Sequence, residues 1–235
     1  DHVVQGRVIF PGAGYLELAR AASASPSTSR AALQAVFFLQ PLAVESPGLH
    51  VECVLADGRF EVRSGTEDAA TLAADVHCSG TIGSRAEDGW QPVEHAVVRG
   101  RLCAFAVDVD GLYKGFDAVG LQYGPGYRTI EQAWCNGTTA ASARLRERKN
   151  RQGTQVHPAD LDDALCVTAI ACIGVVEPPP ALDLEDIEAL GRRMAEGGGG
   201  PETRLPYAVD GALLQPCGGG LWAAAGRPDA VLAGR

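Results

Sequence analysis

One amphipathic helix followed by a cluster of strands, met twice along the chain, constrains the fold more tightly than any other feature. In the first half a strand over 3–10 ends at Pro11 and opens directly into a helix over 13–24. There Tyr15, Leu18, Ala19 and Ala22 follow the i, i+3, i+4, i+7 stripe, with Glu17 and Arg20 on the other face. Strands are expected over 32–44, 49–55, 59–64 and 71–81, with Asp57-Gly58 as a hairpin turn. The polar stretch 83–94 separates the halves. The second half opens with a helix over 109–118 that Asp108 caps, followed by strands over 127–135 and 138–145 joined by Asn136-Gly137. His157-Pro158 then leads into a helix over 159–176, which Pro178, Pro179 and Pro180 stop. A charged helix over 184–196 and a glycine tether over 197–200 precede the last strands, 204–214 and 221–225. Strands that cluster instead of alternating with helices give an α+β class and exclude a doubly wound α/β fold. The expected division is 1–95 for the first half, 96–107 for a linker, and 108–235 for the second half with an insertion over 178–203.

Composition removes several function classes. The chain has 235 residues, 46% of them hydrophobic, enough for a sizeable core. No apolar run reaches the length of a membrane span. Net charge is −9, and the longest positive stretch, 144–151 (RLRERKNR), reads as a solvated hairpin end. Neither nucleic acid nor an anionic membrane is therefore an expected partner. Seven cysteines stand singly, at Cys53, Cys78, Cys103, Cys135, Cys166, Cys172 and Cys217. With no CxxC pair and five histidines, no metal site is expected, and the thiols read as free in a reducing, cytoplasmic compartment. The chain begins at Asp1 inside a motif, so it reads as a segment of a longer polypeptide.

Two residues carry candidate chemistry. His2 lies in the strand that runs into the first helix, pairing a group that titrates near neutral pH with helix N-terminal N–H groups able to hold a carbonyl oxygen. On the helix after His157-Pro158, Asp162 shares a face with Leu165, Cys166, Ala169 and Ile173, whereas Asp160 and Asp163 project to the side where water solvates them. An aspartate in an apolar stripe is either a first-turn residue favoured by the helix dipole or a desolvated carboxyl kept protonated as an acid. Burial raises its pKa and the helix N-terminus lowers it, so the sequence leaves both readings open.

Four blocks resemble the dehydratase domains of polyketide synthases and animal-type fatty acid synthases. His2-xxx-Gly6-xxxx-Pro11 is similar to the family's HxxxGxxxxP signature, and Tyr123-Gly124-Pro125-Gly126-Tyr127 to its YGPxF element. His157-Pro158-Ala159-Asp160-Leu161-Asp162 resembles HPxLLD, which starts the DxxxQ/H motif, and Leu205-Pro206-Tyr207 resembles an LPF strand. The resemblance implies a double hotdog, each half a sheet wrapped on its helix. It also implies removal of water from a 3-hydroxyacyl thioester to give a trans-2-enoyl thioester. His2 would be the general base for the α-proton and Asp162 the acid for the departing hydroxyl. An acyl carrier protein would present the substrate on its phosphopantetheine arm among neighbouring synthase domains, with no metal or redox cofactor.

Backbone N–H groups near Gly12 and Gly14 would then face the thioester oxygen, or the glycines serve only a tight strand-to-helix turn. Tyr123 either hydrogen-bonds near the substrate tunnel or packs in the core. His77 reads as structural, and His157 sets the turn into its helix before Pro158. Three positions depart from the family pattern: Cys166 stands where Gln or His orients the acid, Tyr127 replaces Phe, and Asp160 replaces an apolar residue. The alternatives to an active dehydratase are a degenerate acyl-binding domain and a product-template cyclase of the same fold.

Overall fold

The computed structural model describes residues 2–24, 30–45, 47–66, 75–83, 94–137, 139–172, 207–214 and 221–226. The chain opens with a hairpin where a single strand is expected. Strands β1 (His2–Val4) and β2 (Arg7–Val8) turn back on each other at Gln5 and Gly6, both at positive φ (49° and 77°). Two successive left-handed residues make the tight reversal that fits the twist of a hairpin, and glycine adopts that geometry without strain. Helix α1 (Gly12–Ser23) follows, with Pro11 as its N-cap.

Around α1 lie β3 (Ala31–Phe38), β4 (Leu49–Ala56), β5 (Arg59–Thr66) and β6 (Asp75–Gly83). Asp57-Gly58 forms the turn between β4 and β5, with φ of 50° and 74°. Fully buried Leu33, Val36, Phe60 and Val62 project from this sheet, and Tyr15, Leu16 and Ala19 meet them from the helix. Each large side chain removed from water contributes about 1.5–3 kcal/mol. The helix stripe is wider than its periodicity suggests. Ala22 is exposed, whereas Glu17 and Arg20 are buried, bonded to each other at 2.6 and 2.8 Å. Glu17 also accepts N–H bonds from Gln155 and Val156, so a charged pair expected to face water ties α1 to the approach to the last helix.

The expected linker is structured. Residues 96–107 carry most of α2 (His95–Leu102) and all of β7 (Phe105–Val107), an edge strand of the second sheet. Next come α3 (Val109–Ala118), β8 (Leu121–Tyr123), β9 (Ile130–Cys135), β10 (Ala140–Leu145), α4 (Pro158–Cys172), β11 (Ala208–Leu214) and β12 (Leu221–Gly226). Asp108 precedes α3 without a side-chain cap bond; its carbonyl accepts the Leu112 N–H instead. Asn136 in the β9–β10 turn accepts the Thr139 and Ala140 N–H groups. The insertion over 178–203 lies outside the described residues.

All described pairings are antiparallel, in orders β2-β1-β8, β12-β10-β9-β7 and β11-β3-β6-β5-β4. One sheet curls on α1 and another on α4, with two separate cores, so the class is α+β. The halves interlock more than the expected boundary implies. β11, late in the chain, adds to the edge of the first sheet by pairing with β3, and β1 pairs with β8 of the second half. Among the described residues no helix is long and apolar enough to cross a membrane.

Candidate active site

The β1–β8 pairing brings the first site residue to the second half. His2 lies opposite Tyr123 in register, and its side chain is buried. Its Nδ1 is 2.8 Å from the Ile9 carbonyl oxygen. A carbonyl only accepts, so Nδ1 carries the proton and Nε2 is left with the lone pair. Tyr123 packs edge-on against the imidazole at 5.7 Å and Tyr127 lies tilted at 5.6 Å. The ring is oriented by a backbone bond and walled by two aromatic side chains, and Nε2 points to Asp162.

Asp162 projects from the second turn of α4, with its Oδ2 3.8 Å from His2 Nε2. Its side chain is 13% exposed, and Oδ2 has no hydrogen-bond partner. Burial pushes its pKa up, to about 6; His2 and a hydrogen bond from Tyr123 pull the other way, and the neighbouring Asp163 adds to the rise. Desolvation thus outweighs the pull of His2 and of the Tyr123 bond. Cys166, one turn on, stands 3.3 Å from the Tyr123 hydroxyl. Burial holds that thiol far above its ordinary pKa, so it stays protonated and is no nucleophile.

The remaining motif residues shape the surroundings. Gly6 closes the β1–β2 turn. The Gly14 N–H donates to the Pro11 carbonyl at 2.9 Å, so of the two glycines only Gly12 is left to offer an N–H to an oxyanion. Gly14 also admits the Phe10 ring, since a Cβ there would lie 2.6 Å from its Cε1. Gly14→Ala is therefore expected to cost about 1–3 kcal/mol by overpacking, read as a lowered denaturant midpoint; an unchanged midpoint would show that Phe10 moves aside freely. Gly124 accepts the Tyr127 N–H, and Pro125 accepts a bond from Arg146. His157 Nδ1 accepts the Ala159 N–H at 3.1 Å, and Pro158 occupies the first helical position. His77 bonds to Ser64 and to the Gln40 carbonyl inside the first half. Tyr207 is exposed beside Phe37; Leu205 and Pro206 fall outside the described residues.

The face of α4 opposite Asp162 is not the solvated one. Asp163 is fully buried, with Oδ2 accepting bonds from Tyr113, Thr129 and Ile130. Asp160 is buried against Arg148, which bonds it at 2.8 Å and also donates to the Gly126 carbonyl. Leu165, expected on the apolar face, is 39% exposed. Helical periodicity places residues at angles around an axis, but these burials depend on donors from β9, α3 and the 146–157 loop. The sequence held one clue: three aspartates in four positions are too many for a solvated first turn on an otherwise apolar helix. Among the described residues no group of three His, Cys, Asp or Glu side chains could hold a metal ion.

Two family models match the chain: residues 1–65 match the polyketide synthase dehydratase domain, and residues 93–177 match the polyketide synthase dehydratase N-terminal domain. Polyketide synthase ThaG of Burkholderia thailandensis is 36% identical over 174 residues, covering 70% of this chain but 3% of that protein. The dehydratase domain from the CurF module of the curacin polyketide synthase superposes with a TM-score of 0.71 at 22% identity, covering 98% of this chain and 78% of that one. The dehydratase from the CurK module superposes at 0.70 and 19% identity, covering 97% and 75%. A His-to-Phe and an Asp-to-Asn mutant of that CurK domain are both inactive. The fold is the double hotdog of these hydro-lyases. The chain belongs to the dehydratase domains of polyketide synthases. It spans 3% of the length of ThaG, so in that relative the matching region is one small part of a multidomain synthase.

Proposed function

We propose that this chain removes water from a 3-hydroxyacyl thioester carried on the phosphopantetheine arm of an acyl carrier protein, with His2 as base and Asp162 as acid. The observation that carries this reading is the 3.8 Å approach of an oriented, lone-pair-bearing imidazole nitrogen to a buried carboxyl group with an unpartnered oxygen. His2 Nε2 takes the α-proton, the Cα–H electron pair forms the new C=C bond, and the Cβ–O bond breaks. Asp162 gives its proton to the leaving oxygen, which departs as water. Hydroxide is a poor leaving group, so the protonated carboxyl supplies what the base alone does not. The thioester oxygen gains charge as the proton leaves, and the Gly12 N–H at the start of α1 is the backbone donor proposed to meet it. Acid and base suffice for the step, and no metal or redox cofactor enters it. The inactive His and Asp mutants of the CurK domain support the same pairing.

Incubating the chain with a 3-hydroxybutyryl pantetheine thioester and following the enoyl product by mass spectrometry tests the reading. Steady loss of one water from the substrate is expected. A domain that binds the thioester without converting it, and gains turnover with Cys166→Gln, would be a decayed site instead. Conversion of a poly-β-keto thioester alone would make it a cyclase. The protonated fraction of Asp162 in the free chain falls as pH rises through about 6. The pH profile of kcat/KM is therefore expected to descend on its alkaline side; a profile flat from pH 5 to 8 would contradict an Asp162 acid.

A further inference from the structure

Two carboxylates follow each other on α4, each with one buried oxygen that makes no hydrogen bond, and their other contacts differ. Asp162 Oδ2 is buried with no hydrogen bond, aimed at His2. Asp163, fully buried, collects donors on a single oxygen: the Tyr113 hydroxyl at 2.8 Å, the Thr129 hydroxyl at 2.7 Å, the Ile130 N–H at 3.3 Å and the Thr129 N–H. Those donors come from α3 and from the head of β9, two elements remote in sequence from α4. The Tyr113 hydroxyl also accepts the Ile130 N–H at 3.2 Å, closing the cluster. The chain just before Thr129 carries both aromatic walls of the imidazole, and Arg128 bonds the Tyr123 carbonyl at 2.7 Å while lying over the Tyr113 ring. Cys166 bonds Tyr123 and gives Asp162 no bond of its own.

Resting on the reading of Asp162 as the acid, we propose that Asp163 is a positioning residue for the dehydration. Its bonds fasten the second turn of α4 to β9 and α3, and so fix where Asp162 stands relative to His2 and the tyrosine wall. Charge-assisted bonds from two backbone N–H groups and two hydroxyls define the helix's axial position and rotation in a way that apolar contacts do not. A misplacement of an ångström at a reacting group costs up to about a hundredfold in rate. Asp163 also bears on the proton that Asp162 holds. That carboxyl is faced by His2 from β1, Tyr123 from β8, Tyr127 from the turn after it, and Asp163 and Cys166 on its own helix. Among these Asp163 favours the protonated acid by like-charge repulsion.

The test compares Asp163→Ala, Asp163→Asn and Thr129→Ala in the 235-residue chain. Each is assayed with the 3-hydroxybutyryl pantetheine thioester for kcat, KM and the pH profile of kcat/KM. Asp163→Ala is expected to lower kcat by roughly 30- to 100-fold with KM within about threefold. Asp163→Asn keeps the accepting oxygen without the charge. It is expected to recover most of that loss and to move the alkaline limb of the profile to lower pH. Thr129→Ala, which removes one of the donors, is expected to lower kcat severalfold without moving the limb. Asp163→Ala within threefold of wild-type kcat, or Asp163→Asn falling as far as Asp163→Ala, overturns the proposal. Should Asp163→Ala not fold, the other two decide: an unmoved limb in Asp163→Asn together with an unchanged kcat in Thr129→Ala overturns it as well. Loss of activity in Asp162→Asn alongside a fully active Asp163→Ala refutes this inference and leaves the function standing. A wild-type chain that dehydrates nothing refutes the function itself.

Discussion

Alanine in place of His2 is expected to lower release of the enoyl thioester by roughly 10³–10⁴-fold, the upper range for removing a positioned general base. The imidazole has no substitute nearby. Besides Asp163, whose accepting oxygen already takes four donors, the polar groups around Asp162 among the described residues are the Tyr123 and Tyr127 hydroxyls and the Cys166 thiol, all three with pKa values pushed up by burial, Tyr127 to about 12. At neutral pH none of them is a base. The structural cost of the same change is small: one hydrogen bond to the Ile9 carbonyl, worth about 1 kcal/mol, and two aromatic contacts. Rate and fold therefore separate, and circular dichroism on the assayed sample shows which was lost. A folded His2→Ala protein that keeps a tenth or more of the wild-type rate would remove His2 from the mechanism.

Asp162→Asn is expected to lower turnover by roughly 10²–10⁴-fold, because an amide has no proton to give to the leaving oxygen. The same variant is expected to be more stable than the wild type above neutral pH. The folded-state pKa of Asp162 lies at about 6, above the ordinary 3.8, so the fold favours its protonated form. Below about pH 4 the group is protonated folded and unfolded and costs nothing. As pH rises from about 4 to 6 the unfolded chain releases the proton first, and the wild type loses on the order of 1–3 kcal/mol. The amide does not titrate, so the gap in denaturant midpoint between variant and wild type should widen in the variant's favour from pH 4 to pH 8. An equal gap at both values would mean that burial does not hold the carboxyl protonated. An acid kept in an apolar setting is costly to stability.

The candidate site was legible in outline because its signals are short. Pro11 and Pro158 mark helix starts, Asp57-Gly58 and Asn136-Gly137 mark reversals, and the His2 and Asp162 motifs sit beside those markers. The sequence did not show that 3–10 folds back on itself at Gln5-Gly6, since the β-rich run looks continuous until tertiary pairing fixes its register. Nor did it show α2 and β7 in 96–107, where an edge strand is held by β9 and not by its own pattern. The sequence showed Tyr127 only as a replacement for Phe; its place against His2 depends on how the turn after β8 packs.

The clearest division lies within four residues of α4. Spacing alone put Asp162 on one face and set Asp160 and Asp163 on another, because a helix fixes angles between neighbours at 100° per residue. Which face meets water is not a property of the helix. Arg148 reaches Asp160 from the loop before α4, and Thr129, Ile130 and Tyr113 reach Asp163 from β9 and α3. Burying a carboxylate is unfavourable unless such donors arrive, and their arrival is decided by contacts 12 to 50 residues away. The sequence by itself determined the helices α1, α3 and α4, the turns and the residues able to act as acid and base. Only the tertiary structure decided that β1 delivers His2 to Asp162, and that of two adjacent aspartates one turns an unbonded oxygen to the imidazole while the other takes four donors on a single oxygen.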